Sequence, residues 1–291
     1  MKKVLGIGNA LVDIMSILES DDTLDQFKLP KGSMQLVDAA TSENVNNGTD
    51  HLEKTIASGG SAANTIHGLA RMGIKTGFIG KVGKDELGQF FADDLVRSGI
   101  TPLLLESNTP SGKAMALISP DSERTFATFL GAAVELTPED LTDALYKGYD
   151  ILHIEGYLVQ NHDLIEQAVK LARKNGLRVS LDMASYNVVE DNLEFLKKIV
   201  AGYVDIVFAN EEEAKAFTGK EPHEAVHVFG DQCEIAIVKI GKGGSLVKHG
   251  NALTTVDAID AKVADTTGAG DLYAAGFLYG LIHGQPMDRC G

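Results

Sequence analysis

The chain has 291 residues, two cysteines and a formal net charge of −15, with a pI of about 4.9. That acidity argues against a nucleic-acid surface, and two cysteines without metal spacing, Cys233 and Cys290, exclude a disulfide framework. A hydrophobic content of 44% suffices to bury one large α/β core, and the two thiols, read as reduced, suit a cytoplasmic protein.

The start, Met1-Lys2-Lys3 followed by Val4-Leu5-Gly6-Ile7, has the outline of a signal peptide. Asn9 and Asp13 break its apolar run and no small-residue cleavage site follows cleanly, so a first core strand over Lys3–Gly8 is the preferred reading. No segment is long and apolar enough to span a bilayer, so no membrane partner is expected. Asn9 and Asp13 lie just beyond that strand, where ligands bind in parallel α/β sheets. An aspartate there can accept hydrogen bonds from two neighbouring sugar hydroxyls, or simply cap a turn.

Further strands are predicted at Thr76–Ile79, Ile151–Ile154, Arg178–Leu181, Ile206–Phe208 and Glu234–Lys239. Helical periodicity runs through Asp85–Ser98 (Leu87, Phe91, Leu95) and Asp163–Lys174 (Leu164, Ala168, Leu171). The alternation predicts a mostly parallel sheet covered by helices on both faces. Two regions interrupt it, about 14–37 and about 101–130. They hold the short β-like pieces Met15–Leu18, Met34–Val37, Leu103–Leu105, Lys113–Ile118 and Thr125–Leu130. The last two should pair antiparallel through the Pro120-Asp121-Ser122 turn, and together the pieces read as a small β lid.

Gly59-Gly60-Ser61-Ala62-Ala63-Asn64 precedes a helix predicted over Thr65–Met72. Glycines admit a ligand close to the backbone and Asn64 offers both a donor and an acceptor, although a plain turn would read the same way. Asn210 caps a helix whose first turn holds Glu211, Glu212 and Glu213. Near the end of the chain, Asp265-Thr266-Thr267-Gly268-Ala269-Gly270-Asp271 opens the apolar run Leu272–Ile282. Small residues at a helix start leave bare N–H groups for an anion. A carboxylate beside that anion gains nothing in a site that only binds phosphate, but takes a proton from the attacking hydroxyl in a site that moves it. The run therefore reads as a phosphoryl-transfer centre, and the P-loop and protein-kinase signatures are absent.

The two glycine motifs, with Gly68, Gly73, Gly80 and Gly83 after the first, resemble those of the PfkB carbohydrate kinases, also called the ribokinase-like family. The resemblance runs from the first strand to the last residue. It implies a single ribokinase-like three-layer α/β/α domain over residues 1–291 with a small β-sheet lid. It further implies that Asp271 is the catalytic base, and that the amides of Gly268, Ala269 and Gly270 form the anion hole. ATP is the implied donor. Asn210 and Glu213 match the family's Asn-x-x-Glu, which places Asn210 near the phosphates and has Glu213 organise Mg²⁺ through water. Lys239, Gly241 and Gly244 fall in the nucleotide-side glycine turn, and Asp265 and Thr267 match a monovalent-cation site, potassium in activated members. Asn9, Asp13, Gly59, Gly60 and Asn64 match the substrate-holding positions. Arg124 either swings from the lid onto the phosphate or is an ordinary turn arginine.

The spacing of Asn9 to Asp13, the insert leading to Lys31-Gly32-Ser33-Met34-Gln35-Leu36, and the lack of Asp-Pro-Asn after Leu181 resemble adenosine kinases more than ribokinases or fructokinases. The lid offers Met34, Leu36, Met115, Leu117, Phe126 and Phe129 as an apolar slot for a base, as any lid underside would. Glu155 at a strand end keeps a free-sugar acceptor open. The family continues beyond the position of Gly291, so a truncated chain is expected. Exposed lid edges can pair with a second subunit, which leaves monomer and homodimer both open.

Overall fold

The computed structural model describes residues 2–259 and 268–291. Strand β1 (Val4–Ile7) opens the large sheet, and β2 (Leu11–Ile17), β3 (Met34–Leu36) and β4 (Lys54–Gly59) then build a second, smaller one. The chain returns to the large sheet as β5 (Thr76–Gly83) and β6 (Ile100–Ser107), and completes the small sheet with β7 (Gly112–Ile118) and β8 (Arg124–Phe129). Four parallel strands follow: β9 (Ile151–Ile154), β10 (Arg178–Asp182), β11 (Ile206–Asn210) and β12 (Ile235–Lys239). A hairpin of β13 (Ser245–His249) and β14 (Ala252–Val256) ends the sheet antiparallel. The large-sheet order is β14-β13-β12-β11-β10-β9-β1-β5-β6 and that of the small sheet is β3-β8-β7-β2-β4.

Helices cover both faces because successive strand residues point to opposite sides. In β11, Ile206 and Phe208 join one buried cluster while Val207 and Ala209 join the other. The first cluster also takes Ile66 and Leu69 of α1 (Ser61–Arg71), Phe91 and Leu95 of α2 (Glu86–Arg97), and Phe277 and Leu278 from near the C-terminus. The second takes Leu164 and Ala168 of α3 (His162–Lys174), Ile199 of α4 (Leu193–Tyr203), Phe217 of α5 (Glu211–Thr218) and Phe229 of α6 (Pro222–Gly230). The helix α7 (Ala269–Ile282) crosses α1 where a methyl on Gly68 would lie 2.8 Å from the Ala275 Cβ. Only glycine permits that approach, and it sets the two helix N-termini side by side.

The β7–β8 pair is antiparallel as expected, with Lys113 opposite Phe129 and Ile118 opposite Arg124. Leu103–Leu105, expected in the lid, lies instead in β6 on the edge of the large sheet, where Leu103 pairs with Ile79. Helix α2 supplies the crossover that a parallel β5–β6 pair requires. The small sheet gains β4 in its place, antiparallel to β2. Among the described residues no helix is long and apolar enough to cross a membrane.

Candidate active site

Helix α1 begins at Ser61, a turn earlier than the predicted Thr65, because Gly60 at φ 99° takes the N-cap position. A side chain at Gly60 would collide with the Asn9 carbonyl oxygen, so glycine is required twice over. The early start puts Ser61, Asn64 and Thr65 in the turns that face α7. Ser61 Oγ donates to Asp271 Oδ1 at 2.7 Å and Asn64 Nδ2 donates to Oδ2 at 2.9 Å. Thr65 Oγ1 donates to the Asp271 main-chain oxygen at 3.1 Å. Burial pushes the Asp271 carboxyl above its usual range against the Asn64 and Ser61 hydrogen bonds, with Asp182 adding to the rise and Lys239 opposing it. Gly268 at φ 70° is the N-cap of α7, and the first N–H groups after it have no intrahelical acceptor.

On one side of Asp271 lies a cavity of about 560 Å³, between the small sheet and the β9 end of the large one. Asn9, Gly60, Ser61 and Glu155 form its polar end, and Leu130, Val134, Leu136 and Leu158 line its walls. Glu155 is buried and accepts from Asn9 Nδ2 at 2.6 Å and from Ala62 N–H at 3.1 Å. Burial pushes its carboxyl up to about 7, against the bonds from Ala62 and Asn9. Asn9 Oδ1 is buried with no hydrogen-bond partner among the described residues, an acceptor left open beside the cavity. Asp13 on β2 packs so closely on Gly59 that a Cβ there would collide with its carboxylate. Burial pushes Asp13 up to about 6, against the pull of Arg124 and with a small push from Asp271. Arg124 is the first residue of β8 rather than part of the preceding turn.

On the other side is a cavity of about 640 Å³ bounded by Asn210, Lys239, Gly241, Gly244, Ala269 and Gly270. Asn210 and Glu213 form a reciprocal capping box: Glu213 N–H donates to Asn210 Oδ1 at 2.8 Å, and Glu213 Oε2 accepts the Asn210 N–H at 2.7 Å. Burial pushes Glu213 up to about 7, aided by Asp182 and opposed by Lys239. Lys239 ends β12 and places Nζ 3.4 Å from Asp182 Oδ2. Burial works against its charge, but Asp182 and Glu213 outweigh it and hold the ammonium above its ordinary range. The geometry thus gathers Asp271, Asn64, Ser61, Gly268, Ala269, Gly270 and Lys239 between two cavities. Asp265 and Thr267, expected to hold a monovalent cation, lie outside the described residues.

Among the described residues no group of three His, Cys, Asp or Glu side chains has metal-cage geometry. The buried Glu213 carboxylate, already accepting two bonds from Asn210, fits a magnesium ion held through its waters and phosphate oxygens rather than by a protein cage. Two contributors escaped sequence reasoning. Ser61 was legible only as part of a glycine turn, and Asp182 only as a departure from another pattern. The available signal for Asp182 was an acid at the carboxyl end of a parallel strand.

A half-buried carboxylate between two helix N-termini, with a partly apolar cavity on one side and a glycine-bounded cavity on the other, defines a phosphotransferase on a ribokinase-like fold. Residues 34–291 match the family described as pfkB family carbohydrate kinase. The chain is 36% identical to the adenosine kinase of Sinorhizobium meliloti, whose crystal structure superposes with a TM-score of 0.86 over 99% of this chain and 90% of that one. A probable sugar kinase from Rhizobium etli CFN 42 is 33% identical, with a TM-score of 0.87 over 99% of this chain and 89% of that one. A 5-dehydro-2-deoxygluconokinase of Listeria monocytogenes serotype 4b (strain CLIP80459) is 30% identical over 247 residues, 79% of this chain and 76% of that protein. The chain belongs to the pfkB family of carbohydrate kinases, phosphotransferases that act on sugars or nucleosides.

Proposed function

We propose that the protein transfers the γ-phosphoryl group of ATP to the hydroxymethyl group of a nucleoside, adenosine being the acceptor its site suits best. The observation that carries this reading is the make-up of the 560 Å³ cavity: a polar end, apolar walls and, among the described residues, no Lys, Arg or His in its lining. A volume in that range holds a small ligand. Leu130, Val134, Leu136 and Leu158 offer a flat ring an apolar bed. The gluconate-type acceptor named for the Listeria relative carries a carboxylate. Here it would meet the buried acid Glu155 without a cation among the described lining residues, an arrangement that electrostatics disfavours.

In this mechanism Asn9 and Asp13 take the ribose hydroxyls, and Gly59 and Gly60 let the sugar approach the backbone. Asp271 accepts the proton of the attacking hydroxyl as that oxygen bonds to phosphorus and the β–γ bridge breaks. The N–H groups at the start of α7 and the Lys239 ammonium face the charge that develops on the phosphoryl oxygens. Asn210, Gly241 and Gly244 border the nucleotide. Magnesium, when bound, neutralises phosphate charge, and Glu213 with Asn210 would order its water shell. The small sheet closes over the acceptor and excludes water that would otherwise compete for the γ-phosphate, and Arg124 on its β8 approaches the same centre.

A free sugar such as ribose or fructose is the second reading, favoured by the open Asn9 Oδ1 and the Glu155 acid, which would serve any polyol. An ADP-release assay with adenosine, inosine, ribose and fructose separates the two. Adenosine should give the highest kcat/KM. A preference for ribose or fructose over both nucleosides would overturn the nucleoside assignment and leave the kinase class untouched.

A further inference from the structure

We infer that Ser61 is a positioning residue for Asp271, holding the base in the one orientation that serves the acceptor; the inference rests on the kinase reading above. Ser61 is the first residue of α1, where a serine hydroxyl would ordinarily serve its own helix. It does not. Its Oγ crosses to another helix, 210 residues along the chain, and donates to Asp271 Oδ1 at 2.7 Å. Ser61 also lines the acceptor cavity beside Gly60. Ser61 therefore holds the base and also borders the space where the attacking alcohol must lie.

The chemistry of a hydroxyl suits that double duty. It has one proton to donate and two lone pairs to accept with. With the proton committed to Asp271, the lone pairs remain for the cavity side. The carboxylate needs such a hold because the terminal torsion of aspartate is broad and roughly two-fold. A base must sit within hydrogen-bond reach of the proton it takes, and its supporting residues decide whether it does. Asn64 Nδ2 anchors Oδ2 at 2.9 Å, so the pair of α1 donors fixes both oxygens and with them the plane of the group. The same two bonds favour the ionised form, against a burial that favours the protonated one. Among the described residues, the other titratable groups that interact with Asp271 are Asp182 on β10, Lys239 on β12, Asp13 on β2, and Glu155 and Tyr157 after β9, and a change at Ser61 leaves them in place.

The test uses the full chain with MgATP and adenosine, or whichever acceptor of the panel turns over fastest, and follows kcat, KM and the pH profile of kcat. Ser61→Ala should lower kcat about 10- to 100-fold while the acceptor KM stays within about threefold. The acid limb of its profile should move to higher pH, because a bond favouring the carboxylate is gone. Ser61→Thr should restore most of kcat and return the limb. Should the alanine variant not fold, Ser61→Thr against Ser61→Val gives the same comparison, hydroxyl against methyl at equal size. An unchanged kcat and an unmoved acid limb in Ser61→Ala, alongside an inactive Asp271→Asn, would overturn the role of Ser61 alone. A fully active Asp271→Asn would overturn the reading of Asp271 as base and this inference with it.

Discussion

Lys239 on β12 stands with its ammonium 3.4 Å from Asp182 at the end of β10, across the intervening strand β11. The pair lies at the carboxyl ends of parallel strands, and a methyl on Gly270 would come within 3.1 Å of Lys239 Nζ. Asp182 is itself fixed, because its Oδ1 accepts the N–H of Ala184, a residue held at φ 67°. A half-buried cation is thereby kept beside the start of α7, where the reaction as proposed builds negative charge.

Lys239→Met is expected to lower kcat by about 10²- to 10³-fold and to raise the KM for ATP, the scale seen when one oxyanion-stabilising group is lost. Gly270→Ala should act in the same direction more weakly, since its methyl crowds Nζ. Steady-state kinetics with ATP varied at saturating acceptor measures both. Wild-type values in Lys239→Met would exclude the ammonium from the transfer step.

Asp271→Asn keeps the shape and one oxygen for the Asn64 amide, with the Ser61 hydroxyl left to accept from the new NH2, but removes the proposed base. Turnover should drop by about 10²- to 10⁴-fold. Acceptor affinity, read by calorimetry, should stay within a few-fold of wild type. A variant that loses binding and rate together would point to a structural role instead.

Asp13 gives a pH signature in stability. Its carboxyl is raised from 3.8 to about 6, so between those values the folded chain keeps a proton that the unfolded chain has released. The group's contribution is full below pH 3.8 and fades as pH rises to 6; the shift corresponds to a destabilisation of about 3 kcal/mol at neutral pH. Asp13→Asn should therefore raise stability at pH 7.5 by about 1–3 kcal/mol in urea unfolding, with a smaller gain at pH 5, while weakening acceptor binding at least about tenfold. Equal stabilities at both pH values would show that burial does not strain this carboxylate.

Asn210 combines a cap with a proposed phosphate contact, and two variants separate them. Asn210→Ala should destabilise the fold by about 1–2 kcal/mol through loss of the cap and raise the KM for ATP. Asn210→Ser retains capping ability, so its melting temperature should stay near wild type. If its KM for ATP also stays at the wild-type value, the side chain serves α5 and not the nucleotide.

Much of this architecture is legible without coordinates. Parallel core strands announce themselves as short apolar runs between turn signals, which is why β1, β9, β11 and β12 fall where predicted to within a residue or two. The β13–β14 hairpin was missed although Gly250-Asn251 is a turn signal, because β13 offers only Leu246 and Val247 as an apolar run and β14 lies at the sheet edge with a weak pattern. Leu103–Leu105 was misplaced because a half-buried edge strand of the large sheet and a lid strand share the same local pattern, and only their pairing tells them apart.

The central residues proposed to carry chemistry were named by local spacing, glycine runs that open helices and an aspartate in a first turn, and the nucleotide-side residues by the family resemblance. Those spacings are properties of the chain within a few residues, where backbone sterics and unpaired N–H groups act. What tertiary structure alone decided is which of them meet. Ser61 reaches Asp271 across 210 residues because Gly68 lets two helices touch. Lys239 finds Asp182 because their strands flank β11. Charge and hydrogen bonding fall off within a few ångströms, so partners distant in sequence are set by packing, and no local pattern records them.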